Sequence, residues 1–267
     1  MTQADGRERL RRWTEQARGV PPAFGRLRAG LDSVAPGTTS VRLPLTPELR
    51  RRDGSPTSGT TALLADFGLT TSVISTLPDL RGVTTIAMTV DHLAPPPPTG
   101  ALVSRCTAGS YADGQPQHAS GAVHDDAGRL VAQVSGWFLP TPADDVSADR
   151  VGLVEEAPAG SLEELLQTAI GPAFELHARD ALSNAIGSLH GGIGALACSL
   201  AAEAVLPETR PLSLALSYLR PIPREGTVSV TGSVVRAGRR TGTADASLMD
   251  ADGRLLLVAR LVTGPTR

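Results

Sequence analysis

The sequence predicts an α+β fold built twice over: two tandem repeats, each an antiparallel sheet wrapped around one long central helix. Three observations carry this. Residues 59–76 and 192–205 are apolar on almost every side, the pattern of helices buried in a core rather than lying on a surface. Segments such as 227-TVSVTGSVVRA-237 and 254-RLLLVARLVT-263 are rich in β-branched and aliphatic residues with partial two-residue alternation, the pattern of strands. The elements also recur in one order. The stretch 92-HLAPPPPTG-100 parallels 218-YLRPIPREG-226 at a spacing of 126 (218 − 92). Setting Gly128 on Gly253 aligns 125-DDAGRLVAQVSGWFL-139 with 250-DADGRLLLVARLVTG-264, and Gly59 falls on Gly192. Self-similarity at such a period is a duplicated domain, not a short-unit solenoid.

Taken in order, residues 1–25 form an N-terminal helical extension. Its segment 5-DGRERLRRWTEQAR-18 is a charged amphipathic helix, with Leu10 and Trp13 packing one face and the arginines on a solvated one. Residues 26–140 form the first repeat. The stretch 141–160, rich in Pro, Ala and acids, reads as a linker, and 161–267 form the second repeat. In each repeat the order is apolar helix, strand, proline bend, strand, tight turn, strand; Asp252-Gly253 is a hairpin turn signal.

Composition narrows the function classes. The 267 residues are 41% hydrophobic and 19% charged, with a net charge of −2; nothing here calls for nucleic acid or an anionic membrane as partner. No leader of charged plus apolar residues opens the chain, and no apolar run reaches the roughly 18–20 residues a membrane span needs. Cys106 and Cys198 lack metal-site or redox spacing, which suggests a reduced, cytoplasmic setting. His92, His118, His124 and His177 show no ligand spacing, so no metal site is expected and these histidines read as scattered surface or strand residues. All 25 basic residues are arginine, so the chemistry cannot rest on a lysine of this chain.

The segment that carries chemistry is 184-NAIGSLHGGIGALACSLAAEAV-205. It places His190, Gly191 and Gly192 at the mouth of a buried helix. The first N–H groups of a helix are free and sit at the positive end of its dipole, and glycine lets backbone approach a ligand closely. That is the recipe for an oxyanion hole. Asp66 stands alone in the apolar helix of the first repeat, the only ionisable group between Asp53 and Asp79. A buried carboxylate without a partner is costly and marks a functional candidate.

These residues resemble a known family. The Asn184-x-x-Gly187-x-x-His190-Gly191-Gly192 pattern, with 218-YLRP-221 and 234-VVRAGRRT-241 downstream, is similar to the hotdog-fold acyl-CoA thioesterases of the PaaI type. The resemblance covers most of 161–267 and, more weakly, about 26–140. It implies a double hotdog: two fused repeats standing in for the usual homodimer. It further implies hydrolysis of an acyl-CoA thioester to free acid and CoA. Coenzyme A is then part of the substrate, and no separate cofactor is expected. A thioester on acyl carrier protein is the other form the substrate can take. Family habit also implies that two such chains pair as a homodimer.

The departures from the family pattern are informative. Its carboxylate belongs seven residues after the second glycine, where Ser199 stands in the second repeat and Asp66 in the first. Opposite Asn184, His190 and Gly191 the first repeat has Arg51, Thr57 and Ser58. One repeat keeps the loop and the other keeps the acid. Seven helical residues span about 10 Å, so loop and acid on one helix cannot share a carbonyl. Antiparallel helices about a two-fold axis would set the loop of repeat two against Asp66. The expectation is one complete site. By resemblance, Gly191 donates to the carbonyl oxygen, Asp66 is base or nucleophile, and Asn184, His190 and Gly192 shape the loop or position water. Thr85 (or Thr84) supplies a hydroxyl beside the acid. The turn 236-RAGRRT-241, with Arg236, Gly238, Arg239 and Arg240, is expected to bind CoA phosphates, since Arg suits phosphate. Two alternatives belong to the same fold: a hydratase or dehydratase, whose Asp/His dyad the sequence does not show, and a non-catalytic acyl-CoA or acyl-carrier binder.

Overall fold

The computed structural model describes residues 5–16, 20–79, 81–141 and 156–266. After α1 (Gly6–Gln16) and α2 (Pro22–Arg26), the first half runs β1 (Gly30–Ala35), β2 (Thr38–Pro44), α3 (Gly59–Ile74), β3 (Val83–His92), β4 (Ala101–Ala108), β5 (Gln117–Asp125) and β6 (Leu130–Pro140). The second runs α4 (Leu162–Leu166), β7 (Ala173–Ala178), α5 (Gly191–Val205), β8 (Thr209–Tyr218), β9 (Gly226–Ala237), β10 (Gly242–Met249) and β11 (Leu255–Pro265). All strand pairs are antiparallel and form one sheet of eleven described strands, ordered β1-β2-β4-β5-β6-β3-β8-β11-β10-β9-β7. Read outward from its middle, that order is the same succession twice, with β1 added at one edge. The halves join edge to edge at β3 and β8, where Met88 faces Leu216 and Thr89 faces Ala215. This is the duplicated arrangement the repeats predict, and the double hotdog the resemblance implies.

The duplication reaches individual turns. Asp125 accepts hydrogen bonds from the amides of Ala127 and Arg129, and Asp250 from those of Asp252 and Arg254. Each aspartate also pairs with the arginine four residues on. Strand patterning is clean in β10, where buried and half-buried residues alternate along its whole length.

Helix α3 is buried along 15 of its 16 residues. Two of its polar residues return their hydroxyls to the helix: Thr71 donates to Phe67 O at 2.9 Å and Ser72 to Leu69 O at 2.8 Å. It packs antiparallel on α5, and glycine sets the closeness. A Cβ added to Gly192 would come within 2.9 Å of Leu63 O, and one added to Gly59 within 3.1 Å of Leu196 O. No helix of the described residues is long and apolar enough to cross a membrane.

One expectation needs correction. On α1, Leu10 and Trp13 do pack inward, against Ile74 and Leu77. Arg9, however, is not on a solvated face: its Nη1 donates to Arg81 O at 3.0 Å and its guanidinium lies 5.4 Å from the Trp13 ring centre. Most of the expected linker, 142–155, lies outside the described residues. Its end is pinned, because Glu156 pairs with both Arg26 and Arg179 and Ala159 N donates to the buried Glu48. His92 is one of the expected strand residues, and a buried one. It ends β3 fully enclosed, with neither ring nitrogen hydrogen-bonded among the described residues.

Burial pushes the His92 pKa down to about 4, outweighing the nearby charges of Glu203 and Asp91 that would raise it and acting with Arg210, which lowers it further. The ring is therefore neutral in the fold, while an unfolded histidine titrates near 6.5. Between those values the unfolded chain binds the extra proton, so stability falls as pH drops from about 6.5 to about 4, by roughly 3 kcal/mol. Denaturant melts across this range should show that loss, and His92→Phe should flatten it. An unchanged pH profile in the variant would contradict the assignment.

Candidate active site

The lead-in to α5 is a loop tied by one side chain. Asn184 Oδ1 accepts from the amides of Ile186 (3.1 Å) and Ser188 (3.0 Å), and its Nδ2 donates to Ser188 Oγ at 2.8 Å. This asparagine shapes the loop. His190 follows as N-cap in extended conformation, and its Nδ1 accepts the Gly192 N–H at 3.1 Å. Its ring stands edge-on to Phe67 with centres 4.4 Å apart. The Gly192 amide is thereby spent on the cap, and this glycine serves helix packing. The Gly191 N–H, first of the helix, has no acceptor inside it.

Asp66 comes from the other half and is 1% exposed. Its Oδ1 accepts from Thr85 Oγ1 at 2.8 Å. Its Oδ2 lies 3.2 Å from His190 Nδ1 and would be 3.1 Å from a Cβ placed on Gly191. The histidine nitrogen can serve only one neighbour at a time. As acceptor for Gly192 it leaves Oδ2 free toward the cleft; as Nδ1–H it pairs with the carboxylate. Tyr218, the last residue of β8, donates its hydroxyl to Gly191 O at 3.2 Å. Burial, and then the charge of Asp66, hold its pKa well above the usual tyrosine value, so it remains a donor. Asp66, Thr85, Asn184, His190, Gly191 and Tyr218 all line one cleft of about 180 Å³, with apolar walls that include Ile186 and Leu219.

Carboxylate and helix-start amide thus converge on one cleft from opposite halves. Residues 180–264 match the family described as the acyl-CoA thioesterase N-terminal domain. The second half therefore carries a thioester-hydrolase domain. No curated protein matches the chain. Among solved structures, similarity extends over both halves. A protein described as an oleoyl thioesterase, from Lactobacillus plantarum, has a TM-score of 0.62 at 10% identity, covering 88% of this chain and 98% of that one. The tesB protein of Mycobacterium avium subsp. paratuberculosis gives 0.60 at 9%, covering 89% and 96%. The 12:0-ACP thioesterase of Umbellularia californica gives 0.58 at 12%, covering 86% and 94%. At such identities these likenesses establish the shared fold.

The counterpart of this cleft, at the other ends of the two helices, holds different chemistry. Thr57 Oγ1 caps the Gly59 amide at 3.2 Å, as His190 caps Gly192. Ser58 and Ser199 hydroxyls meet at 3.2 Å where the first site has amide and acid. Glu203 fills this place: it accepts from Thr57, Ser58 and Ser199 and pairs with Arg51 at 3.1 Å. Sequence reasoning missed Glu203. The signal was its place one helical turn beyond Ser199. It also gave Tyr218 no role, although the repeat sets Tyr218 opposite the enclosed His92.

The expected phosphate-binding turn is not brought to the cleft. Arg236, Gly238, Arg239 and Arg240 line a separate surface hollow with Thr241. Register explains it. Ala237 and Gly242 align through Thr263 with Pro211, at the start of β8, whereas the cleft is at Tyr218, its end. Seven strand residues separate the two, about 23 Å. Among the described residues, no three His, Cys, Asp or Glu side chains converge in a way that could hold a metal ion.

The two glycines should separate in experiment. A methyl at Gly191 points at the Asp66 carboxylate and the Tyr218 ring; Gly191→Ala should keep the melting temperature within a few degrees while any activity of the cleft collapses. A methyl at Gly192 meets the α3 backbone, so Gly192→Ala should destabilise by about 1–3 kcal/mol. Calorimetry of both variants checks this; equal melting temperatures would contradict it.

Proposed function

We propose that this chain is a PaaI-type acyl-CoA thioesterase with a single active site formed between its halves. The observation that carries the reading is the meeting of Asp66, from α3, with the N-terminus of α5 across the interface between the halves. The thioester carbonyl would sit against the Gly191 N–H, where the helix dipole and the free amide stabilise the developing oxyanion. Asp66 Oδ2 faces that place while Thr85 holds Oδ1. From there Asp66 either draws a proton from water as it attacks, or attacks the carbonyl itself to give an anhydride that water then opens. Both routes break the carbon–sulfur bond, and the thiolate leaves protonated as CoA thiol with release of the free acid. Tyr218 steadies the first turn of α5 through Gly191 O.

Thiol release from a panel of acyl-CoAs, with acyl carrier protein thioesters as a second arm, tests the proposal. Asp66→Asn should lower kcat by about 10³ or more. Thr85→Val should lower it by about tenfold, as loss of one positioning hydrogen bond does. Label in Asp66 after a single turnover in ¹⁸O-water identifies the nucleophilic route, with the anhydride opened at its aspartyl carbonyl. Full activity in Asp66→Asn would sink the assignment.

A further inference from the structure

The cleft does not end at His190. Behind that ring a smaller hollow of about 40 Å³ continues under α1, sharing Thr70, Val83, Asn184, Ile186 and His190 with the cleft and bounded by Arg9, Trp13, Phe24 and Phe67. Its polar groups are unbalanced. Trp13 Nε1 is buried and has no hydrogen-bond partner among the described residues, and neither has Thr70 Oγ1. Arg9 is half-buried, and its guanidinium donates to the carbonyl of Arg81. Among the described residues no carboxylate lies within ion-pair distance of it. Burial alone pulls its pKa down to about 10.

Three residues with donor-capable groups, one of them a cation, therefore line a hollow to which no described residue brings an anion. A buried indole N–H without an acceptor is costly, and the half-buried Arg9 guanidinium has a carbonyl and a ring beside it but no counter-anion among the described residues. Buried charges are ordinarily paired, and arginine with an indole N–H beside it is the donor set that suits a carboxylate. The aromatic walls suit the methylene chain that would lead there.

We infer that the hollow receives the far end of the acyl group, and that this end carries a carboxylate: the substrates are acyl-CoA thioesters of dicarboxylic acids, held by Arg9 and Trp13. The inference rests on the thioesterase reading of the cleft and deepens it. In it α1, the N-terminal extension, is the specificity wall of the site rather than an ornament of the fold. Asp66 lines the cleft and not the hollow, so it stays apart from the substrate's carboxylate.

The test uses the full chain and length-matched pairs: succinyl- against butanoyl-CoA, glutaryl- against pentanoyl-CoA, adipyl- against hexanoyl-CoA. The unaltered protein should show kcat/KM at least about tenfold higher for the dicarboxylic member of the best pair, as expected when a site built around buried donors meets a ligand lacking the acceptor. Arg9→Met should abolish that preference mainly through KM, leaving the monocarboxylic partner within about twofold. Trp13→Phe should weaken it by about three- to tenfold, by removing the N–H and keeping the ring. Melting curves check that α1 stays docked, and the comparison in the unaltered protein does not depend on the variants folding. Equal turnover within every pair, or a preference untouched by Arg9→Met with α1 docked, overturns this inference alone. Turnover of no acyl-CoA at all overturns the thioesterase reading and this inference with it.

Discussion

The antiparallel crossing of α3 and α5 is the contact on which the other features depend. Gly59 and Gly192 remove the side chains that would hold the helices apart, so the start of each lies against the middle of the other. That closeness brings Asp66 beside Gly191, and it also brings Ser58 beside Ser199. The sheet follows the same two-fold relation, joined through β3 and β8. A chain with this crossing has two equivalent places where a helix start meets a partner helix, and side chains decide what each becomes.

The two places solve the same electrostatic problem in different ways. At the α5 start, the positive helix end faces a carboxylate set back in the partner helix, with a cleft between them open to a ligand. At the α3 start, the protein supplies its own anion. Glu203 reaches the free end of the helix, accepts three hydroxyls and is balanced by Arg51. An anion at a helix N-terminus is stabilising, and here it takes the part that a substrate oxyanion would take in the sister site. Division of labour between the halves is thus a matter of where the negative charge comes from.

Much of the fold was legible because duplication wrote it twice: the x-Leu-x-Pro bends, the Asp-rich turns with glycine and the two apolar helices each check the other. Asp66 stood out as one carboxylate in an apolar helix. What stayed hidden depended on register and distance. The Arg236–Arg240 turn looked like a phosphate site, yet only strand pairing shows that it lies at the far end of β8 from the cleft. Glu203 looked like an ordinary charge near a helix end until Arg51, 152 residues away in sequence, was seen beside it. Arg9 sat in a run of arginines that patterning assigns to solvent, and its partial burial comes with the docking of α1 on Ile74 and Leu77. His92 carried no spacing signal, because its enclosure is set by which end of β3 meets the two helices.

The central claim is that one chain holds one active site, made from both halves. Titration calorimetry with a non-hydrolysable thioether analogue of an acyl-CoA substrate addresses it directly. The account predicts one equivalent bound per 267-residue chain, with that binding lost in Gly191→Ala. Two equivalents per chain, or one that survives the Gly191 substitution unchanged, would contradict it.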